Sequence, residues 1–112
     1  MARLEDKIQE GIVAYLKLAL PKVLVFAIPN EAKRSFRLAG ALKRRGMLPG
    51  IPDLCLVTAG GNAHFLEVKS ATGRHTEAQD EIATLMTLRF IPRATVRSIL
   101  ETETALKAWG LL

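Results

Sequence analysis

The spacing of apolar residues predicts a helix at the start of the chain and a short strand after it. From about residue 4 to residue 20, apolar side chains recur every three or four positions, as in an amphipathic helix, and Pro21 follows as a stop. The run VLVFAI, residues 23–28, is β-branched and aromatic and predicts a buried strand. A basic segment over about residues 31–45 is compatible with a second helix, although Gly40 disfavours it by about 1 kcal/mol relative to Ala.

The middle of the chain predicts a β-hairpin followed by a helix. The segments DLCLVT, residues 53–58, and AHFLEVKS, residues 63–70, are joined by AGGN, and so short a connection indicates antiparallel pairing. Thr76 and Gln79 then have the spacing of a capping box, which predicts the start of a helix.

The remaining pattern predicts a fourth strand, ATVRSIL, residues 94–100, and a short final helix, ETETALKAWG, residues 101–110. A length of 112 residues suits one domain with a single core. We therefore predict one α/β domain over residues 1–112, with a mixed central sheet of about four strands flanked by helices.

Composition narrows the class of protein. Apolar residues make up 49% of the chain, yet no run approaches the roughly 18–20 apolar residues of a membrane span. The charged N-terminus MARLEDKIQEG gives no sign of a secretory signal, and a single cysteine excludes an internal disulfide and a cysteine-based zinc site. We expect a cytoplasmic protein without a membrane partner.

Positive charge is concentrated in one segment. The net charge is +5, which favours a polyanionic partner, and a solvated helix face remains the alternative. The clustered basic residues are Lys33, Arg34, Arg37, Lys43, Arg44 and Arg45.

Three ionisable residues interrupt the predicted hairpin strands. Glu67 and Lys69 are two apart and share a face of their strand, and Asp53 begins the neighbouring strand. Two carboxylates in a partly buried pocket repel each other, and a divalent cation such as Mg²⁺ or Mn²⁺ removes that cost. Lys69 beside such a cation is suited to orient a water and stabilise a phosphate. For Glu67 and Lys69 alone, a surface ion pair on an edge strand is the alternative.

These residues carry a resemblance to a known family. GIPDL followed by FLEVKS resembles the signature of the PD-(D/E)XK nuclease superfamily, and the chain more closely resembles the small stand-alone VRR-NUC domains of phages and bacteria. The matching segments, in order along nearly the whole chain, are EDKIQEGIVAYL, PNEAKRS, LKRRGMLPGIPDL, FLEVKSATGRHTEAQ and VRSILETETALKAWG.

The resemblance implies a restriction-endonuclease-like core and a metal-dependent phosphodiesterase acting on DNA, in a bacterial or phage-infected cell. It implies that Asp53, Glu67 and the backbone carbonyl of Val68 hold Mg²⁺ or Mn²⁺. It further implies that Lys69 assists the attacking water, that Gln79 supports the pocket, and that the products carry a 5′-phosphate and a 3′-hydroxyl.

The family also has an acidic residue on its first helix, and two candidates compete for this position. At about 100° per residue, Glu5 falls on the arc of Ile8 and Ile12, whereas Glu10 falls outside it. An acidic residue on the inward arc has little reason to be there unless it faces a site, so we choose Glu5.

The DNA contacts implied by the resemblance lie in the basic segment. Asn30, Arg34 and Ser35 match an Asn-x-x-x-Arg-Ser pattern of the family, and such donors commonly hold phosphates. Among the clustered basic residues, Lys43, Arg44 and Arg45 directly precede the predicted catalytic loop.

Substrate and assembly follow from the resemblance as expectations. Relatives act on branched DNA, and small stand-alone members resemble four-way-junction resolvases, whose two-fold symmetric substrate favours a homodimer. The alternatives are a non-catalytic nucleic-acid-binding module with the same fold, a flap- or duplex-cutting nuclease of restriction type, and an RNA-binding protein. The last is disfavoured because aromatic residues total only 5%.

Overall fold

A computed structural model describes residues 3–29 and 36–112, which contain four helices and four strands. They are α1 (Leu4–Ala19), β1 (Leu24–Ala27), α2 (Phe36–Arg44), β2 (Leu54–Val57), β3 (Ala63–Val68), α3 (Glu77–Leu88), β4 (Arg93–Val96) and α4 (Ile99–Ala108). None of these helices is long and apolar enough to cross a membrane. The predicted second helix is present from Phe36 onwards, and its predicted first turn falls largely outside the described residues.

The four strands form one mixed sheet in the order β1-β2-β3-β4. Strands β1 and β2 are antiparallel, and β2 pairs antiparallel with β3 through the predicted hairpin. Strand β4 lies parallel to β3, and the connection between them contains α3. The predicted α/β architecture with a mixed four-stranded sheet is confirmed.

One face of the sheet carries the hydrophobic core, which α1 and α4 cover. Because side chains alternate along a strand, Leu66 and Val68 point into this core and Glu67 between them points to the opposite face. Helix α3 lies over that opposite face, since its Gln79 reaches Glu67. The fully buried core residues are Ile12, Leu16, Leu54, Leu56, Leu66, Val68, Val96 and Leu106.

The boundary between β4 and α4 differs from the prediction. We predicted a strand through residue 100, but β4 ends at Val96 and α4 begins at Ile99. The hydroxyl of Ser98 accepts a hydrogen bond from the Glu101 backbone N–H at 3.1 Å, and the Glu101 carboxylate accepts one from the Arg97 backbone N–H at 3.1 Å. This N-cap places the apolar residues after Ser98 in the first turn of a helix.

Replacing the cap residue tests this boundary. We expect Ser98→Ala to lower the free energy of unfolding by about 1 kcal/mol, because one N–H of the first turn of α4 loses its acceptor. The control is Thr104→Ala in the same helix, at an exposed hydroxyl that donates to the Leu100 carbonyl. It should have an effect near zero, since Ala favours helix more than Thr. Urea denaturation measures both, and equal losses would contradict the assigned cap.

Candidate active site

The β2–β3 hairpin brings two carboxylates to one edge of the sheet. Leu54 pairs with Leu66 in the antiparallel hairpin. Asp53, the residue before Leu54, therefore lies opposite Glu67, the residue after Leu66, and their side chains share a face. One carboxylate oxygen of Asp53 accepts a hydrogen bond from the Val68 backbone N–H at 2.7 Å. This bond joins the start of β2 to the end of β3 and fixes the Asp53 side chain beside Glu67.

Glu67 is the most deeply buried ionisable residue at this edge, with 1% of its surface exposed. Its Oε1 accepts a hydrogen bond from the Gln79 amide at 3.2 Å, and its Oε2 is buried without a partner among the described residues. Burial is the largest cause that raises the pKa of Glu67 to about 9, followed by the closeness and the negative charge of the Asp53 carboxylate. Without a cation, Glu67 therefore holds a proton at neutral pH.

Lys69 lies two residues beyond Glu67 on the same face and is 6% exposed. Its backbone N–H donates to the Val96 carbonyl at 3.0 Å, which ties this end of β3 to β4. The positive charge of Lys69 lowers the pKa of Glu67, so the two side chains interact. A buried lysine beside Glu67 is placed to act on an anion bound at the same edge.

Gln79 reaches the site because a capping box fixes the first turn of α3. The Thr76 hydroxyl accepts from the Gln79 backbone N–H at 3.2 Å, and the Gln79 side-chain oxygen accepts from the Thr76 backbone N–H at 2.9 Å. The predicted capping box is therefore confirmed. The side-chain nitrogen of Gln79 remains free to donate to Glu67. One side chain therefore both caps α3 and orients the Glu67 carboxyl group.

Gly50 allows the loop before Asp53 to lie directly against α3. Its φ is +85°, and a Cβ added there would lie 2.3 Å from the Ala78 carbonyl oxygen and 2.8 Å from the Gln79 nitrogen. No side chain fits in this space. The loop that leads to Asp53 and the helix that carries Gln79 are thereby held in contact.

The first helix presents Glu5, rather than Glu10, towards this edge. Glu5 is half-buried, and its Oε2 would lie 3.0 Å from a Cβ added at Gly73, in the loop that follows Lys69. Glu10 is exposed and lines a separate surface groove with residues such as Asp6. The placement agrees with the choice of Glu5, whose role in catalysis stays a prediction.

The predicted DNA contacts are described only in part. Lys43 and Arg44 are exposed at the end of α2, and Arg45 is exposed in the turn that follows. Arg37 lies in α2, and its side chain is outside the described residues. Four further predicted contacts lie wholly outside them: Asn30, Lys33, Arg34 and Ser35.

The residues at this edge fit a small divalent cation. Within residues 3–29 and 36–112, no three His, Cys, Asp or Glu side chains form a metal-binding group. A cation would be held by Asp53, by the unpartnered Oε2 of Glu67, by the Val68 carbonyl and by water. One or two carboxylates with several waters is the usual environment of Mg²⁺. The Val68 carbonyl lies on the same side of β3 as its N–H, which points at Asp53.

Arg93 is a neighbour of Glu67 that the sequence analysis did not identify. It pairs with Phe65 across β3 and β4 and so lies on the face of Glu67, and its charge lowers the pKa of that carboxyl group. Its Nε and Nη2 atoms are buried without a partner in the described part of the chain. The available signal was alternation: if the strand predicted from residue 94 is extended back by one residue, Arg93 and Thr95 lie on the face opposite the apolar Val96.

Comparison with known proteins identifies the fold. No family model matches the sequence, and no curated protein matches it. A solved structure described as "VRR_NUC domain" matches with a TM-score of 0.67 and 21% identity, over 95% of this chain and 97% of the other. A second, "VRR_NUC domain protein", matches with a TM-score of 0.73 and 16% identity, over 97% and 89%. The chain has the VRR_NUC fold.

The fold predicted from GIPDL and FLEVKS is thus confirmed. In this VRR_NUC fold, the start of β2, the end of β3 and the first turn of α3 meet at one edge of the sheet. At these identities the likeness establishes the architecture, and the chemistry of the site rests on the residues described above.

The raised pKa of Glu67 predicts how stability depends on pH. Between pH 4.5, the ordinary pKa of a glutamate, and about pH 9, the folded state holds one proton that the unfolded state releases, so stability falls as pH rises through this window. We expect metal-free Glu67→Gln to lose this dependence, which is at most about 1.4 kcal/mol per pH unit. Urea denaturation in EDTA at several pH values tests this. Glu81→Gln, an exposed position on α3, is the control, and parallel profiles for the parent and Glu67→Gln would contradict the prediction.

The contact at Gly50 predicts a large effect of a single methyl group. Gly50→Ala should lower the free energy of unfolding by roughly 2 kcal/mol or more, from left-handed backbone strain plus displacement of the Ala78 carbonyl. Gly61→Ala is a matched control, because Gly61 has φ +83° but, its two chain neighbours aside, no described residue within 4 Å of an added Cβ. Its free energy of unfolding should fall by about 1–2 kcal/mol, from the backbone strain alone. Equal losses in urea denaturation would show that the Gly50 contact contributes nothing.

Proposed function

We propose that this chain is a divalent-metal-dependent DNA endonuclease that cuts branched DNA. The observation that carries the proposal is the placement of Asp53, Glu67 and Lys69 on one face at one edge of the sheet. Two buried or half-buried carboxylates with an unpartnered oxygen suit a hard cation, and an adjacent buried ammonium suits a phosphate.

In this proposal Asp53, Glu67 and the Val68 carbonyl hold Mg²⁺ or Mn²⁺. When bound, the cation polarises the scissile phosphate and lowers the pKa of a coordinated water. Lys69 orients the attacking water and stabilises the negative charge on the phosphate. The water oxygen bonds to phosphorus, the bond from phosphorus to the 3′ oxygen breaks, and that oxygen takes up a proton, which leaves a 5′-phosphate and a 3′-hydroxyl.

Residues of α3 and α1 position these groups. Gln79 holds Glu67 in place through its amide, and Glu5 lies beside the loop that follows Lys69. The exposed cations Lys43, Arg44 and Arg45 precede the loop that leads to Asp53, where they are suited to hold the DNA backbone. The other residues of this proposed interface are Asn30, Lys33, Arg34, Ser35 and Arg37.

The preference for branched DNA and the assembly rest on the resemblance to small stand-alone VRR-NUC domains. A four-way junction has two-fold symmetry and requires two cuts, so we propose a homodimer that places one site on each strand. A non-catalytic DNA-binding module is the alternative. Two carboxylates facing phosphates would weaken such a binder, which favours the nuclease.

Cleavage of a labelled DNA panel tests the proposal. The panel contains single strand, duplex, 5′ flap, replication fork and four-way junction, each with Mg²⁺, Mn²⁺ or EDTA. We expect paired symmetric nicks in the junction with either cation and none with EDTA. Cutting of flaps or duplex instead would retain the nuclease and reject the junction preference. Tight binding without cleavage of any substrate would reject the nuclease in favour of a binding module.

Removing Lys69 tests the assignment of the site. Lys69→Ala should slow cleavage by about 100- to 1000-fold while junction affinity stays nearly unchanged, because this group acts on the transition state. Lys107→Ala is the matched control, since Lys107 is an exposed lysine of α4 that pairs with Glu103 at 3.2 Å. Single-turnover rates measure both variants. A Lys69→Ala protein that cuts as fast as the parent would overturn the assignment.

A further inference from the structure

Arg97, just after β4, holds the loop that follows Lys69. Its Nη1 donates to the Ser70 carbonyl at 2.5 Å and to the Gly73 carbonyl at 2.7 Å, with a longer contact of 3.4 Å to the Ala71 carbonyl. A charged donor makes stronger hydrogen bonds than a neutral one, so these contacts fix the backbone of residues 70–73. The sequence separation is more than twenty residues, so this is a tertiary contact rather than a local turn.

The loop is the direct continuation of Lys69. The Lys69 N–H is bound to the Val96 carbonyl, and Arg97 follows Val96. The two contacts therefore tie the last residue of β4 and the residue after it to the two residues that follow β3. The Gly73 N–H donates to the Ser70 carbonyl at 3.1 Å, which closes a tight turn around the arginine. The backbone on the C-terminal side of Lys69 therefore has its position set by one guanidinium group.

Both sides of the loop are anchored on rigid elements. The Arg97 backbone N–H donates to the Glu101 carboxylate in the capped first turn of α4. On the other side, Glu5 of α1 lies against Gly73, where even a methyl group would come within 3.0 Å of its Oε2. The loop therefore lies between Glu5 of α1 and Arg97, the residue that follows β4.

We propose that Arg97 is a positioning residue that acts through the Ser70–Gly73 loop to hold Lys69 in its working orientation. This inference rests on the proposed nuclease function. A catalytic side chain must be held within about 0.5 Å of its productive position, and a lysine has a long flexible stem. Loss of the guanidinium therefore slows the chemical step and leaves DNA affinity unchanged.

Kinetics of Arg97→Lys and Arg97→Ala test the proposal. We expect single-turnover cleavage at saturating protein to fall about 10- to 100-fold in both variants, with the junction dissociation constant within about two-fold of the parent. Methylguanidinium should restore part of the rate to Arg97→Ala and none to Lys69→Ala. The control is Arg89→Ala, because Arg89 also donates from Nη1 to a backbone carbonyl, that of Leu85 at 3.0 Å, but away from the loop. An unchanged rate, or a rate lost in parallel with affinity, would overturn the positioning role.

Amide hydrogen exchange of the metal-free protein separates this inference from the proposed function. In Arg97→Lys, exchange of the Gly73 amide should rise at least about ten-fold, while the Thr102 amide, bound to the Ser98 carbonyl in α4, should be unaffected. Unchanged exchange at Gly73 would overturn the inference even if the parent cuts no DNA. Parent inactivity with increased exchange would reject the nuclease and, with it, the positioning of Lys69 for cleavage.

Gly73→Ala covers the case in which Arg97 variants do not fold. The added methyl group would lie 3.0 Å from the Glu5 Oε2 and 3.1 Å from the Ser70 Oγ, so Glu5 and the loop must move apart by a few tenths of an ångström, with no change in β4. It should reproduce the lower rate at unchanged DNA affinity. If hydrogen exchange at residue 73 rises in Gly73→Ala, which shows that the loop has moved, and cleavage still proceeds at the parental rate, the proposal is contradicted.

Discussion

Burial of the Glu67 carboxyl group is the constraint on which the rest of the site depends. The sheet holds this group at 1% exposure, with one oxygen bound to Gln79 and the other without a partner in the described part of the chain. Removing an ionised carboxylate from water costs roughly several kcal/mol unless a positive charge accompanies it. In the metal-free fold a proton on Glu67 removes the negative charge, and a bound cation would replace that proton and balance the charge of the ionised carboxylate. Asp53, opposite Glu67, strengthens both effects because its charge repels an ionised Glu67.

The surrounding contacts serve the fold and the site at once. The Asp53 carboxylate extends the β2–β3 pairing by accepting from the Val68 N–H, and it thereby keeps its position beside Glu67. Gln79 completes the cap of α3 and orients the Glu67 carboxyl group. Leu66 and Val68 alternate with Glu67 on β3, so the hydrophobic core on one face fixes the charged group on the other. The positions of the charged groups are consequently set by ordinary secondary structure and core packing.

The parts of the molecule that follow a local rule could be predicted from the sequence. A four-residue connection between two apolar segments predicted the hairpin. The alternation of side chains along its second strand placed Glu67 and Lys69 on one face. Spacing alone predicted the capping box of Thr76 and Gln79. The start of α4 was predicted wrongly because the apolar run after Arg97 suits a strand or a helix, and the Ser98 cap decides between them. The contact of Gly50 with Ala78 and the bonds from Arg97 to the loop after Lys69 join distant segments, and no local periodicity encodes them.

Proton release on metal binding is the measurement that probes the role of Glu67 most directly. Calorimetric titration of Mg²⁺ or Mn²⁺ at pH 7, in buffers with different ionisation enthalpies, counts the protons displaced when the cation binds. If Glu67 holds a proton in the metal-free protein and becomes a ligand, the parent releases about one proton per cation, and Glu67→Gln releases none and binds more weakly. Binding without proton release, or equal affinity in the two proteins, would contradict a metal site built on Glu67.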